Sequence, residues 1–267
     1  MKQFFISLIP KSFLPIVKWA FQKRLVYWKG NYTTWAKAES ETDGYNTDVI
    51  LNAVIDAVRK VKRGEALYER DSVLFYLPEK KNALYEIIQQ VATQNSGKIR
   101  VIDFGGSLGS TYFQHKKYLD TLPGVEWNVI EQAKFVSFAK MELEDEKLKF
   151  HYKIEECKLD SEFNLLVFSS VLQYLEHGIV SLDALLKLQI QYCVIDRTNF
   201  TFEPNDIITK QTVPSSIYKA SYPCWFFNPD KMVQKFQSYS YSLVNQWTND
   251  TLNIGYQGGF LFEIDKK

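Results

Sequence analysis

Between residues 99 and 196 the sequence alternates short apolar runs with amphipathic segments at helical spacing. The apolar runs predict strands over residues 99–104, 127–131, 148–152, 164–168 and 192–196. The segments between them predict helices over residues 110–119, 133–143 and 179–189. Alternation of this kind builds parallel strands whose crossover helices cover both faces of one sheet. The sequence therefore predicts an α/β protein.

The flanking segments extend this prediction at both ends. Residues 47–63 and 82–93 carry apolar side chains at helical spacing, and the turn residues 94–97 follow them. At the other end, residues 239–247 and 259–264 resemble strands with no convincing helix between them, which is typical of a terminal antiparallel pair. The predicted sheet is therefore mostly parallel and seven-stranded. We expect a mainly helical N-terminal extension or lid over residues 1–96 and the α/β domain over residues 97–267.

Composition argues against several classes of function. The chain has 267 residues, with 32 basic against 31 acidic side chains and a net charge of +1, so nothing favours nucleic acid as a partner. The cysteines are widely spaced and match neither a disulfide framework nor a metal-binding pair; they are Cys157, Cys193 and Cys224. Three histidines in all make a histidine-rich metal site improbable. We expect no metal and a cytoplasmic location.

The first 21 residues are apolar enough to raise the question of a signal peptide or a membrane span. Prolines and lysines at positions 10, 11, 15 and 18 interrupt the run well short of the roughly 20 residues that a span needs. No small-residue cleavage site follows. Two interpretations stay open: an amphipathic helix packed on the domain, or a helix at residues 1–24 that lies on the inner face of a membrane.

The segment 101–109 carries the chemistry, because an apolar strand there ends in an acid, then glycines, then a helix start. Such a turn lets the backbone approach a ligand, and the amides at the helix start favour an anion. Dinucleotide binding would need glycines at positions 107 and 110, and both are serine. A serine hydrolase would use Ser107 as the nucleophile in a G-x-S-x-G elbow. Its histidine base usually lies late in the chain, whereas the last histidine here is His177. The third interpretation is the acid-x-Gly-x-Gly-x-Gly motif of class I methyltransferases, with Ser107 in place of one glycine.

The chain as a whole resembles a family of bacterial S-adenosylmethionine-dependent methyltransferases whose genes tend to lie among surface-polysaccharide biosynthesis genes. The resemblance rests on G-N-Y at 30–32, Y-E-R-D-S at 68–72, D-F-G-G-S-L-G at 103–109, V-I-E-Q at 129–132, S-S-V-L-Q-Y-L at 169–175, I-D-R-T at 195–198 and A-S-Y-P at 220–223. It implies the Rossmann-like class I methyltransferase fold with an antiparallel C-terminal strand. It also implies S-adenosylmethionine as the cofactor, and a small-molecule or sugar acceptor such as a polysaccharide precursor.

Each part of that cofactor predicts its own protein partners. The methionyl carboxylate suits the amides near Gly105, Gly106 and Ser107 in the turn that Gly109 ends, and the ammonium suits Asp103. Glu131, at the end of the second predicted strand, would accept the ribose hydroxyls. Gln132 would border the adenine, and Glu155 or Glu156 would accept its amino group. Two further cofactor-binding candidates are Ser169 and Ser170, which follow the fourth strand into the crevice where such sheets bind ligands.

Methyl transfer to a hydroxyl benefits from a general base. The candidates are Asp196, His115 and His177, of which Asp196 lies at the end of a strand. An aromatic loop would stack on a sugar or lipid-linked acceptor, or pack into the core, and consists of Tyr218, Tyr222, Trp225, Phe226 and Phe227. Residues 68–72 are expected to fold back as part of a lid. A Rossmann-like binding module without turnover is the non-enzymatic alternative.

Overall fold

The computed structural model describes residues 26–43, 47–77, 82–157, 163–214 and 220–265. The predicted N-terminal amphipathic helix therefore lies outside the described residues. Within the described ranges, no helix has the length and apolar character needed to cross a bilayer.

Twelve strands and seven α-helices make up the described chain. The strands are β1 (Tyr27–Tyr32), β2 (Tyr68–Arg70), β3 (Val73–Phe75), β4 (Lys98–Phe104), β5 (Gly124–Ile130), β6 (Leu148–His151), β7 (Leu165–Ser169), β8 (Tyr192–Phe200), β9 (Ile207–Val213), β10 (Ala220–Phe226), β11 (Tyr241–Thr251) and β12 (Tyr256–Ile264). The helices are α1 (Trp35–Ser40), α2 (Thr47–Lys62), α3 (Ala83–Gln94), α4 (Ser110–Leu119), α5 (Ala133–Glu142), α6 (Asp183–Leu186) and α7 (Pro229–Gln237).

The main sheet has seven strands in the order β6-β5-β4-β7-β8-β12-β11. The five strands from β6 to β8 are parallel, while β12 runs antiparallel to both β8 and β11. All seven predicted strands are present, with ends that differ from the predicted ones by a few residues. The predicted fold class, a mostly parallel seven-stranded sheet with an antiparallel C-terminal strand, is therefore confirmed.

Helices cover both faces of this sheet because successive side chains of each strand point to opposite sides. On one face, Val101 and Val129 pack with apolar residues of α2, α3, α4 and α5. On the other, Ile102 and Ile195 pack with α6 and α7, and Phe236 of α7 stacks on Phe262 at 4.0 Å between ring centroids. The predicted helix over residues 179–189 is a 3-10 turn at Gly178–Leu182 followed by the short α6.

A second sheet has the order β1-β9-β10 and is antiparallel throughout; β9 and β10 are inserted between β8 and α7, and β1 comes from the N-terminal part of the chain. The sequence patterns did not predict it, and they placed a loop where β10 lies. Tyr222, Trp225 and Phe226 are part of β10, Phe227 follows it, and Tyr218 is outside the described residues. Six of the seven residues of β10 are buried, so the strand shows none of the alternation that marks a half-buried strand.

The N-terminal part of the chain joins this architecture at two places. Strand β1 pairs with β9, and the Trp28 indole donates a hydrogen bond to the Gln211 side chain at 3.0 Å. Strands β2 and β3 form a hairpin that packs on α2 and α4. The division of the chain near residue 96 stays a prediction.

Candidate functional site

A cavity of about 680 Å³ opens at the C-terminal ends of β4, β5, β7 and β8. The glycine turn after β4, the end of β5 and the residues after β7 form its floor, while α1, α2, β10 and the hairpin β2–β3 contribute its walls. This is the crevice where open parallel sheets bind ligands, and its volume is within the range of small-molecule sites.

The glycine turn has two positions where no side chain fits. Gly105 has a φ of +72°, and a Cβ there would lie 2.3 Å from a methyl group of Val171. At Gly106 a Cβ would lie 2.6 Å from the carboxyl carbon of Asp103. The turn ends at Gly109, which precedes α4 in the left-handed conformation with a φ of 84°. A side chain at position 105 or 106 would therefore collide with Val171 or Asp103, so both positions require glycine.

Asp103 lies directly beneath Gly106 and is fully buried. One of its carboxylate oxygens, Oδ2, accepts a hydrogen bond from the Trp127 indole at 3.1 Å. The other, Oδ1, has no hydrogen-bond partner among the described residues. Burial raises the pKa of Asp103 to about 7, although the Trp127 hydrogen bond and the nearby Arg197 charge oppose the rise. A buried carboxylate oxygen without a donor, next to a glycine at a cavity wall, suits a cationic ligand group.

Glu131 follows β5 and lies at the edge of the cavity. Its carboxylate accepts the backbone N–H of Gln132 at 2.8 Å and that of Ser107 at 3.1 Å. Burial raises the pKa of Glu131, while these two hydrogen bonds oppose the rise. The Gly105 N–H in turn donates to the Ile130 carbonyl at 2.8 Å. Two of the amides expected to hold the methionyl carboxylate therefore already have partners within the protein.

Ser169 and Ser170 lie at the end of β7 and line the cavity together with Arg197. The Arg197 guanidinium donates to the Ser169 hydroxyl at 3.1 and 3.3 Å, and it pairs with the Asp196 carboxylate at 3.5 Å. Asp196 is buried and also accepts hydrogen bonds from Ser169 and from the Trp247 indole, at 3.2 and 3.3 Å. Asp196 thus holds Arg197 and Ser169 at the cavity without lining it.

The other candidate bases lie away from the cavity wall. His115 is buried, hydrogen-bonds the Thr111 carbonyl at 2.8 Å, and stacks on the ring of Tyr85. His177 is exposed, just before the 3-10 turn that leads into α6. None of the three histidines, all within the described ranges, lines the cavity next to Ser107.

Not every predicted cofactor residue reaches the cavity. Ser107 and Gln132 line it, but Gly109 is buried near Leu148 and Phe150. Glu155 and Glu156 lie in a 3-10 turn after β6 outside the cavity lining, and Glu156 accepts the Tyr152 N–H at 3.0 Å. Among the described residues, no group of three or more His, Cys, Asp or Glu side chains could hold a metal ion.

Two groups of cavity residues were missed wholly or in part by the sequence reasoning. One is an aromatic wall formed by Trp35, Tyr174 and Tyr222, which come from α1, a 3-10 turn after β7, and β10. Of these three, the sequence singled out Tyr222 alone, as part of the aromatic loop. The other is the tip of the β2–β3 hairpin, where Arg70 and Asp71 line the cavity. The sequence predicts residues 68–72 as part of a lid, but it assigns no binding role to Arg70 or Asp71.

Left-handed backbone conformations concentrate at this site. Asp71, Ser107, Ser170 and Arg197 all line the cavity with φ between 50° and 58°. Residues other than glycine rarely adopt this conformation, and it costs roughly 1–3 kcal/mol per residue, so it persists only where the surrounding structure holds it. Four such residues at one cavity point to a binding site.

No protein-family model matches the chain, and no curated protein is similar to it in sequence. Among solved structures, the alignment with a complex of LepI, SAH and a substrate analogue has a TM-score of 0.48 and 8% identity; it covers 70% of this chain, which spans 50% of the LepI chain. A magnesium protoporphyrin IX methyltransferase from Synechocystis with bound SAH gives 0.49 and 12%, over 82% of this chain and 97% of that one. An amino pentose methyltransferase from Micromonospora echinaspora with bound SAM gives 0.46 and 10%, over 67% and 89%. At this level of similarity these proteins bear on neither the cofactor nor the substrate of this chain.

Proposed function

We propose that the chain is an S-adenosylmethionine-dependent methyltransferase. The observation that carries the proposal is the buried Asp103 carboxylate, which has an oxygen without a donor among the described residues and lies beneath Gly106, a residue that lines the cavity together with Glu131. The cofactor has an ammonium group, a ribose diol and an adenine in that order. An acid under a glycine turn and a second acid at the end of the neighbouring strand match the ammonium and the ribose diol in chemistry and in order along the cofactor.

The chain's residues fit this cofactor as follows. Asp103 would receive the ammonium, directly or through water, since a carboxylate stabilises a cation and the absence of a side chain at Gly106 lets this carboxylate lie against the turn. Glu131 would accept the ribose hydroxyls, since its carboxylate lies at the cavity edge, held by the N–H groups of Gln132 and Ser107. Ile130, Gln132 and Phe135 line the cavity beyond Glu131, where the adenine would lie. When bound, S-adenosylmethionine supplies a methyl group on an activated sulfonium.

The protein's contribution to transfer would be alignment and the exclusion of water. The acceptor would lie against Trp35, Tyr174 and Tyr222, whose aromatic rings suit the apolar face of a sugar. We propose O-methylation of a sugar or polysaccharide precursor in the cytoplasm, with no nucleic-acid partner. For a hydroxyl acceptor we rank Asp196 above His115 and His177 as the base, because Asp196 contacts Ser169 and Arg197, which both line the cavity.

Calorimetric titration with S-adenosylhomocysteine tests the cofactor assignment. We expect binding to the wild-type protein and a loss of roughly 10-fold or more in affinity for Glu131→Ala, because a hydrogen bond to a charged group contributes about 1.5–3 kcal/mol. Glu126→Gln is the matched control: Glu126 lies on β5, the strand that Glu131 follows, but it pairs with Arg100 and does not line the cavity. Unchanged affinity in Glu131→Ala would refute the ribose assignment.

A fluorophosphonate probe tests the rival serine hydrolase. Because no histidine lines the cavity beside Ser107, we expect no labelling of that residue. Covalent labelling at Ser107, lost in Ser107→Ala, would overturn the methyltransferase proposal. Binding of S-adenosylhomocysteine without methyl transfer to any sugar-nucleotide or lipid-linked acceptor would favour a binding module instead.

A further inference from the structure

The β2–β3 hairpin reaches the cavity beside the glycine turn, and the assignment of the cofactor pocket above makes no use of it. Arg70 and Asp71 line the cavity at the hairpin tip, close to Ser110 and Thr111 of the first turn of α4. Both residues of the tip, Asp71 and Ser72, have left-handed backbone conformations, with φ of 51° and 66°. A tight and strained turn is therefore held against the start of α4.

Glu69 fixes the hairpin in this place. Its carboxylate is 1% exposed and accepts hydrogen bonds from the Ser110 hydroxyl and from the Ser72 N–H, the latter at 3.0 Å. Ser110 is the first residue of α4 and follows the glycine turn directly. The Glu69–Ser110 contact thus ties the hairpin to the element that positions the turn.

Contacts with Gln114, Tyr68 and Phe75 help to position the Arg70 guanidinium before any ligand binds. It donates to the Gln114 side chain of α4 at 3.0 Å and lies 5.8 Å from the ring centroid of Tyr68 and 5.6 Å from that of Phe75. The residue is 8% exposed. Arginine keeps its charge at every physiological pH and carries five N–H donors in a planar fork that matches a carboxylate. A cation held in this way loses little side-chain entropy when an anion binds.

The methionyl carboxylate of the proposed cofactor needs such a donor. Since Gly105 donates to Ile130 and Ser107 donates to Glu131, two amides of the turn are engaged within the protein. Glu131 lies at the cavity edge and Asp103 lies beneath Gly106, so a ligand carboxylate near the turn needs a compensating cation. The two arginines of the cavity lie at different places: Arg197 donates to Ser169 at the end of β7, whereas Arg70 contacts α4, the helix that follows the glycine turn.

We propose that Arg70 binds the α-carboxylate of S-adenosylmethionine and that the β2–β3 hairpin is the element that recognises the amino-acid end of the cofactor. This inference rests on the proposed function and deepens it. Glu69 is a positioning residue, since it holds the hairpin to Ser110.

Binding titrations with S-adenosylmethionine and with its decarboxylated form test this assignment, because the two ligands differ only in the carboxylate. We expect Arg70→Gln to weaken the binding of S-adenosylmethionine by roughly 10- to 100-fold, the range for a charge-assisted hydrogen bond, and to leave the decarboxylated ligand unaffected. Arg70→Lys keeps the charge without the fork and should show a smaller loss. Arg59→Gln, at an exposed ion pair with Glu142, is the control and should change neither affinity.

Three results would overturn the inference. Equal losses for both ligands in Arg70→Gln and Arg70→Lys, or a loss of the folded state in both, would show that Arg70 only supports the hairpin. A selective loss of affinity for S-adenosylmethionine in Arg197→Gln but not in Arg70→Gln would place the carboxylate of the ligand at the ends of β7 and β8. If the wild-type protein bound neither ligand, the proposed function would fail first, whereas equal binding of both by the wild type would refute the carboxylate site alone.

Discussion

At the scale of single residues, the absence of a side chain at Gly105 is what keeps Val171 in place at the cavity floor. Gly64 offers a comparison, because its φ of +74° is close to the +72° of Gly105, but a Cβ there would meet nothing within 4 Å. Replacement of Gly64 by alanine therefore measures the cost of the backbone conformation alone, about 1–2 kcal/mol.

Gly105→Ala should cost more than Gly64→Ala, by about 1–3 kcal/mol, because its Cβ would overlap a methyl group of Val171. Urea denaturation of both variants gives the two free energies of unfolding. Equal losses would mean that Val171 moves aside freely. In that case the close packing of the turn would not be a constraint on residue 105.

Asp103 should make stability depend on pH. Its pKa is raised from 3.8 to about 7 in the folded protein, so between these values the folded state binds a proton that the unfolded chain releases. The stability that this carboxyl contributes is complete below pH 4 and is lost as the pH rises through 7. We expect the free energy of unfolding of Asp103→Asn to rise relative to that of the wild type from pH 4.5 to pH 8.

Urea denaturation of the ligand-free proteins at pH 4.5, 6 and 8 checks this expectation. The comparison between the two proteins removes the contribution of Glu69, whose pKa burial also raises to about 7, since both proteins contain it. A difference that stays constant across these pH values would show that the Asp103 carboxylate is ionised throughout.

Cavity residues whose position is set by their neighbours in the chain could be predicted, and those positioned by distant contacts could not. The glycine turn and Glu131 follow directly from the ends of two predicted strands. Arg197 and Arg70 line the same cavity, but the sequence shows only that they are charged. Their places depend on Ser169 and Gln114, at separations of 28 and 44 residues.

At the scale of elements, Gln211 of β9 connects the second sheet to the aromatic wall. Its side-chain oxygen accepts hydrogen bonds from the Trp28 indole at 3.0 Å and from the Tyr174 hydroxyl at 3.2 Å, and its amide donates to Tyr222 at 3.3 Å. Two of the three residues of the wall therefore depend on one buried amide. The position of this wall is a property of β9 as much as of the residues that face the cavity.

Gln211→Leu should lower stability by about 1–3 kcal/mol, because it leaves the buried Trp28 N–H without its acceptor. The affinity for S-adenosylhomocysteine should not change, since Gln211 does not line the cavity. Gln246→Leu on the exposed strand β11 is the control for the loss of an amide. Urea denaturation and calorimetry measure the two effects, and an equal loss of stability in both variants would contradict the role of Gln211.

Local periodicity predicted the seven strands of the main sheet, and the same reasoning failed for β1, β9 and β10. The pairing of β1 with β9 joins residues as far apart as Tyr27 and Thr212, and no local pattern encodes that register. In β10 every residue except Trp225 is buried, so the period of two is absent. Helix α7 was missed for a different reason: it is short and has only two buried residues, Met232 and Phe236.

At the scale of the whole molecule, the three cysteines report on global unfolding. Each is buried, and burial raises the pKa of each thiol to about 12. At pH 8 the thiolate that reacts with disulfide reagents is therefore scarce and shielded. We expect no rapid reaction of the native protein with a chromogenic disulfide, and three equivalents after denaturation.

Saturating S-adenosylhomocysteine should slow the residual reaction, because a ligand at 100 times its Kd stabilises the folded state by about 2.7 kcal/mol. Thiol release followed by absorbance, with and without the ligand, measures this. Rapid labelling of one cysteine in the native protein would mean that its region opens locally. An unchanged rate with ligand would mean that the reactive opening does not involve the binding site.

The pairing of β1 with β9 also orders events during synthesis. Trp28 and its partner Gln211 are 183 residues apart, so at about 5–20 residues per second a ribosome needs roughly 10–40 s to make the second after the first. Strands β4 to β8, with Asp103 and Glu131, are complete before β9 is made. The half of the cavity proposed for the cofactor can therefore form while the wall proposed for the acceptor still lacks β9 and β10. During that interval β1 has no β9 to pair with, and its unpaired backbone groups are available to a chaperone.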